Sequence, residues 1–108
     1  MKFSLTGSWQ SVSSTIPGYR PGTEWLHFDP DGEHRWEVGQ PSGRGRPSIN
    51  TVALADDGDN YRLFLIKGSG ETFPLARVDA VTVDEIHVTP QHGFVTLFRK
   101  IERRPDSP

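Results

Sequence analysis

The stretch EWLHFDPDGEHRWEV, residues 24 to 38, decides the fold because its two halves alternate apolar and polar residues around a turn. Alternation with a period of two is typical of a β-strand that buries one face. The DPDG segment, residues 29 to 32, has the residue order of a type I turn closed by a glycine bulge. This stretch therefore predicts a β-hairpin with a three-residue loop.

The hairpin register decides whether its two histidines can share a metal ion. A three-residue loop pairs Phe28 with His34 and His27 with Arg35. One face, which we expect to be buried, then carries Leu26, Phe28, His34 and Trp36, and the other carries Trp25, His27, Arg35 and Glu37. A two-residue loop would instead set the histidines opposite each other, but the Pro-Asp-Gly order favours the longer loop. We therefore predict a turn here and no metal site.

The rest of the chain repeats this pattern of short strands and turns. Eight strand candidates result: SWQSVS, EWLHF, HRWEV, INTVAL, YRLFLI, TFPLARV, EIHV and FVTLFRKI. Glycine (11) and proline (9) together make 20 of the 108 residues, and no segment has a sustained helical stripe. The prediction is an all-β fold, an up-and-down antiparallel eight-stranded β-barrel, because closure removes exposed strand edges. A two-sheet β-sandwich is the alternative.

Length and composition limit the organisation and the function. A chain of 108 residues is the size of one domain, which we place at residues 1–102, with a disordered tail at 103–108. A net charge of -2 argues against nucleic acid as a partner, even with the SGRGRP segment at 42–47. The absence of cysteine and of a signal-like or membrane-spanning segment predicts a cytoplasmic protein of bacterial type with no membrane association.

Several short motifs resemble those of a known family. Leu5-Thr6-Gly7-Ser8-Trp9 is similar to the Gly-x-Trp signature that opens lipocalin-like (calycin) barrels. The strand and turn at 26–32, the strand that begins at Tyr61 and the closing GFVTLFRKI at 93–101 also resemble small bacterial lipocalin-like domains. The resemblance implies a barrel in which the tryptophan plugs the closed end and an arginine of the last strand packs across it.

Trp9 and Arg99 are the candidates for that structural pair. Residues early in strand one and late in strand eight meet in an eight-stranded meander, and alternation would set Arg99 on an apolar face with Val95, Leu97 and Ile101. We expect the guanidinium to stack on the indole as a cation–π pair. A ligand carboxylate held by Arg99 inside the barrel is the alternative.

The loops predict where a ligand would bind. Connections after strands one, three, five and seven must share one end of the meander, and this group is basic, with Arg20, Arg44, Arg46, Lys67 and His92. The other connections are short and acidic. The interior face would add an aromatic wall from Phe28, His34 and Trp36, opposite Ser11 and Ser13. An apolar cavity with a few polar groups is typical of a small-molecule site.

Two functions stay open at this point. The first is a non-enzymatic, lipocalin-like barrel that binds a small apolar or amphipathic ligand at the basic mouth, with an anionic ligand as one option. The second is a protein-interaction or immunity-type accessory protein with a filled barrel, whose partner meets Tyr19, Trp25 and the GRGR loop. No catalytic motif and no cofactor signature is present, although a triad built from separate strands is invisible in one sequence. Oligomeric state is not predicted.

Overall fold

A computed structural model of the chain describes residues 5–30, 33–39, 48–80 and 82–101. The strands are β1 (Gly7–Ser14), β2 (Glu24–Phe28), β3 (His34–Val38), β4 (Ser48–Asp57), β5 (Asn60–Ile66), β6 (Thr72–Ala80), β7 (Glu85–Pro90) and β8 (Thr96–Ile101). Each pairs antiparallel with the next, and β8 pairs with β1 to close the barrel. The predicted fold class is confirmed. No helix able to cross a bilayer occurs within the described ranges.

The β2–β3 hairpin has the predicted register. Phe28 pairs with His34 and His27 with Arg35, and Asp29 N donates to Glu33 O at 3.0 Å beyond the last strand pair. The two histidines therefore lie on opposite faces of the sheet, as the three-residue loop requires. Positions 31 and 32 of that loop lie outside the described residues.

The β4–β5 connection is shorter than the gap between the predicted strands INTVAL and YRLFLI, which left residues 55 to 60 between them. Asp57 pairs with Asn60, so only two residues form the loop. Gly58 takes a positive φ of 64° there, the conformation that a two-residue hairpin with glycine in first place needs. The strands consequently extend to Asp57 and begin again at Asn60.

The interior is filled by the protein's own side chains. Of the residues that the structure describes, eleven apolar ones form the buried core: Leu5, Trp9, Leu26, Phe28, Trp36, Val52, Leu63, Val78, Ile86, Val88 and Phe98. Trp9 is completely buried, and its indole Nε1 donates to the Leu5 carbonyl at 2.9 Å. Trp36 and Phe98 meet edge to face with ring centroids 6.5 Å apart. Aromatic and branched side chains thus occupy the centre of the barrel.

The predicted pairing of Trp9 with Arg99 is wrong by one residue. Trp9 pairs with Lys100, whose Nζ lies 5.4 Å from the indole centroid, so the cation–π partner is a lysine. Arg99 points outward, is mostly exposed and contacts Glu85 through Nη2 at 3.3 Å. Alternation favoured the face of Leu97 and Ile101, because the opposite face has two polar residues beside Phe98. The fully buried Phe98 sets the inward face.

A β-bulge also changes which serines of β1 face inward. The register with β8 shifts between Ser11 and Ser13, so that Ser14 rather than Ser13 lies opposite the buried Thr96. Ser14 Oγ accepts a hydrogen bond from Thr96 Oγ1 at 3.1 Å, while Ser13 is exposed. The expectation that Ser13 lines the interior is therefore wrong, because a bulge inserts one residue into the alternation.

Candidate functional site

The up-and-down order assigns every connection to one of two ends. The segments after β1, β3, β5 and β7 share one end, which we call the loop-rich end, and the remaining connections share the turn-rich end. Arg20, Lys67 and His92 are exposed and belong to the loop-rich end, as predicted. Arg44 and Arg46 lie outside the described residues.

Exposed apolar side chains lie at the same end as these basic residues. Of the described residues, Ile49, Phe73 and Phe94 are large, apolar and exposed near the loop-rich end, with Phe73 39% and Phe94 41% accessible. Lys67 Nζ lies 4.3 Å from the centroid of the Phe73 ring, and the His92 ring lies 5.3 Å from that of Phe94. We define the rim as Arg20, Ile49, Lys67, Phe73, His92 and Phe94.

Next to the rim, the half-buried carboxylate of Glu24 links the β1–β2 loop to β3. Glu24 Oε2 accepts from the Tyr19 hydroxyl at 2.5 Å, and Glu24 Oε1 accepts from Trp36 Nε1 at 3.0 Å. Burial and the hydrogen bond to Glu24 raise the pKa of Tyr19 to about 12. The β1–β2 loop is tied down by Gly22 N, which donates to Ser11 O at 2.8 Å. Tyr19 and Glu24 thus place hydrogen-bonded polar groups at the loop-rich end of the interior, which we call the inner mouth.

The interior residues predicted to contact a ligand are packed among core residues. Phe28 is 1% exposed and meets the half-buried His34 edge to face, with ring centroids 5.3 Å apart. Trp36 contacts Phe98 and donates to Glu24, and His34 Nδ1 is buried without a hydrogen-bond partner. Two recesses are formed by described residues, one beside Arg62 and Phe64 and the other beside Ser8. A ligand that entered past Phe28 and Trp36 would have to displace the core.

The outer face of β2 and β3 holds polar residues that sequence reasoning did not bring together. His27, expected on the non-core face, is 1% exposed, and Glu37 beside it is 7% exposed. His27 Nε2 lies 2.8 Å from Glu37 Oε2, and His27 Nδ1 lies 2.9 Å from Ser8 Oγ. We call Ser8, His27 and Glu37 the outer relay. Its strand neighbours Trp25 and Arg35 each have one buried nitrogen, Nε1 and Nε, without a hydrogen-bond partner.

One signal in the sequence pointed to part of the relay. The hairpin register sets His27 and Glu37 on the same face two positions apart, within side-chain reach of each other across the diagonal. The third member comes from β1, where Ser8 pairs directly with His27. The alternation did not predict that this part of the outer face is buried.

These features define the molecule as a small closed antiparallel barrel with a filled interior, a basic and apolar rim at one end and a buried polar relay on its outer wall. No family model, no curated protein and no solved structure matches the chain.

Proposed function

We propose that this chain is a lipocalin-like binding protein that takes a small anionic amphipathic molecule on the rim of its loop-rich end. One observation carries the proposal: at that end, an ammonium and an imidazole each lie against an exposed aromatic ring. Lys67 provides positive charge for a headgroup, and the imidazole of His92, whose Nδ1 accepts from the Phe94 amide, can donate to it through Nε2. Phe73 and Phe94 provide apolar surface for its tail. Exposed apolar surface bordered by polar groups is typical of an interaction site.

The charge at the inner mouth favours a ligand that stays on the rim. The carboxylate of Glu24 already accepts from Tyr19 and Trp36 and would repel an anionic headgroup. The core beneath it is packed, with Leu26 and Phe98 fully buried. The rim therefore replaces the barrel interior as the proposed binding surface. Localisation in the cytoplasm remains a prediction from composition.

A pair of probes that differ only in charge tests this proposal. We expect anilinonaphthalene sulfonate to bind more tightly than neutral phenylnaphthylamine, and added salt to weaken only the sulfonate. Arg20→Gln with Lys67→Gln removes two rim charges. Because an exposed charge contact contributes about 0.5–1 kcal/mol, the sulfonate affinity falls roughly five- to thirty-fold.

The matched control removes the same charge from the outer wall. Arg77→Gln with Arg99→Gln takes two exposed arginines away from the rim, and we expect it to leave sulfonate binding within about twofold of wild type. Phe73→Ala with Phe94→Ala should weaken both probes, since the apolar contact is common to them. An equal loss of sulfonate affinity in the rim variant and in the outer-wall control would refute a rim site.

A second function is favoured by the filled interior. A barrel whose core residues are fully buried can serve as a rigid platform for a protein partner that covers Ile49, Phe73 and Phe94. The surface first expected for such a partner is less suitable, since Tyr19 and Trp25 are only partly exposed. Absence of binding by either probe would make this the better account.

A further inference from the structure

The outer relay has the arrangement of an activated nucleophile. Ser8 on β1, His27 on β2 and Glu37 on β3 follow one another across adjacent strands at hydrogen-bond distances of 2.9 Å and 2.8 Å. A hydroxyl, an imidazole that can take its proton and a carboxylate that orients the imidazole are the three parts of a serine nucleophile site. Such sites are recognised by geometry and roles, whatever the order of residues in the chain.

The hydrogen bonds of His27 favour the tautomer that a general base requires. The carboxylate of Glu37 can only accept, so Nε2 carries the proton and donates it to Oε2. Nδ1 is then left with a lone pair that accepts from the Ser8 hydroxyl. Because His27 is 1% exposed, water does not compete for either contact.

Ser8, unlike His27, has access to solvent. It is half-buried and lines a recess of about 370 Å³ together with Gly7, Asp84, Lys100 and Ile101. A Cβ built on Gly7 would lie 2.9 Å from Lys100 Cε, so a larger residue there would force the lysine side chain to move. The recess therefore gives solvent access to a hydroxyl that is backed by a base.

We propose that Ser8 is a nucleophile and that the outer relay gives this barrel an acyl-transfer activity toward small carboxylic esters. Ser8 Oγ forms a bond to the ester carbonyl carbon, and its proton passes to His27 Nδ1. The bond to the leaving alkoxide breaks, and the alkoxide departs with the proton from His27. Water then attacks the acyl-serine by the same path and releases the acid.

The outer relay shares no residue with the rim, so an activity of Ser8 is independent of ligand binding at the rim. The relay lies toward the turn-rich end, at the start of β1 and the end of β2, whereas the rim is at the other end. Loss of probe binding in Arg20→Gln with Lys67→Gln should leave the reaction of Ser8 unchanged, and failure of either proposal is therefore visible separately.

Covalent labelling of the intact chain is the decisive experiment. A fluorophosphonate should add one phosphonyl group as its phosphorus–fluorine bond breaks, and peptide mass mapping should place that group on Ser8. Ser8→Ala should abolish this adduct, and Ser13→Ala, which removes an exposed serine from the same strand, should leave it unchanged. His27→Gln should slow labelling and 4-nitrophenyl acetate hydrolysis by about 100-fold or more.

Glu37 is a positioning residue that orients the His27 imidazole. Its test must separate this role from a contribution to the stability of the fold. Glu37→Gln keeps an acceptor near Nε2 but removes the charge that stabilises a protonated imidazole, so the pH–rate profile of labelling should move to lower pH. Glu37→Asp should return part of the wild-type profile. Circular dichroism establishes that each variant is folded. The proposal would be overturned if the folded wild-type protein gained no adduct at Ser8, or if His27→Gln were labelled at Ser8 as fast as wild type.

Discussion

Replacing Trp9 by alanine removes the largest side chain that is fully buried among the described residues. Truncating a buried aromatic costs about 3–5 kcal/mol of unfolding free energy, because transfer energy is lost and a cavity remains. A domain of this size has about 5–15 kcal/mol in total, so the variant should be marginally folded. Trp9→Phe separates packing from hydrogen bonding: it leaves the Leu5 carbonyl without the indole donor at 2.9 Å, which costs about 1–3 kcal/mol when the group stays buried.

Urea unfolding followed by circular dichroism measures these losses. Trp25→Ala is the matched control, since Trp25 lies on the outer face, is only half-buried and has an Nε1 without a hydrogen-bond partner. We expect its loss to be clearly smaller than that of Trp9→Ala. If both alanine variants unfold at the same urea concentration with equal slopes, Trp9 is not the centre of the core that its burial indicates.

Three further outcomes follow from the structure. Arg99→Lys should change the unfolding free energy by less than about 0.5 kcal/mol in urea, because its contact with Glu85 is exposed. Gly58→Ala should lower the melting temperature, since alanine at a φ of 64° costs about 1–2 kcal/mol, whereas Gly68→Ala, at a position with open space and no positive φ, should not. In an absorbance titration, one tyrosine phenol should ionise near pH 12, and this titration step should be absent in Tyr19→Phe. Because folding raises this pKa, the stability from Tyr19 is complete below pH 10 and is lost as the pH rises towards 12.

The strand order and the β2–β3 register were predictable because both depend on residues that are close together in the sequence. The turn residues at 29–32 determine the pairing of β2 with β3, and the observed pairs from Glu24–Val38 to Phe28–His34 follow from them. Alternating apolar residues located the other strands. The inward face of β8 was not predictable in this way, because Leu97 and Ile101 form the more apolar set, whereas the set that faces inward contains Thr96 and Lys100 beside Phe98. Closure of the barrel, which pairs Trp9 with Lys100 and buries Phe98, decides it.

The outer relay needed information that no single segment contains. A three-residue loop sets the β2–β3 register, but β1 and β2 are joined by residues 15–23, a segment too long for turn chemistry to fix which β1 residue meets His27. The bulge between Ser11 and Ser13 shifts the register of β1 with β8, while Ser8 still pairs with His27 on the other side. Ser8, His27 and Glu37 are therefore adjacent as a result of tertiary pairing. For the same reason, the labelling of Ser8 tests the β1–β2 register itself, since moving β1 by one residue would turn Ser8 to the interior and place Gly7 or Trp9 beside the imidazole.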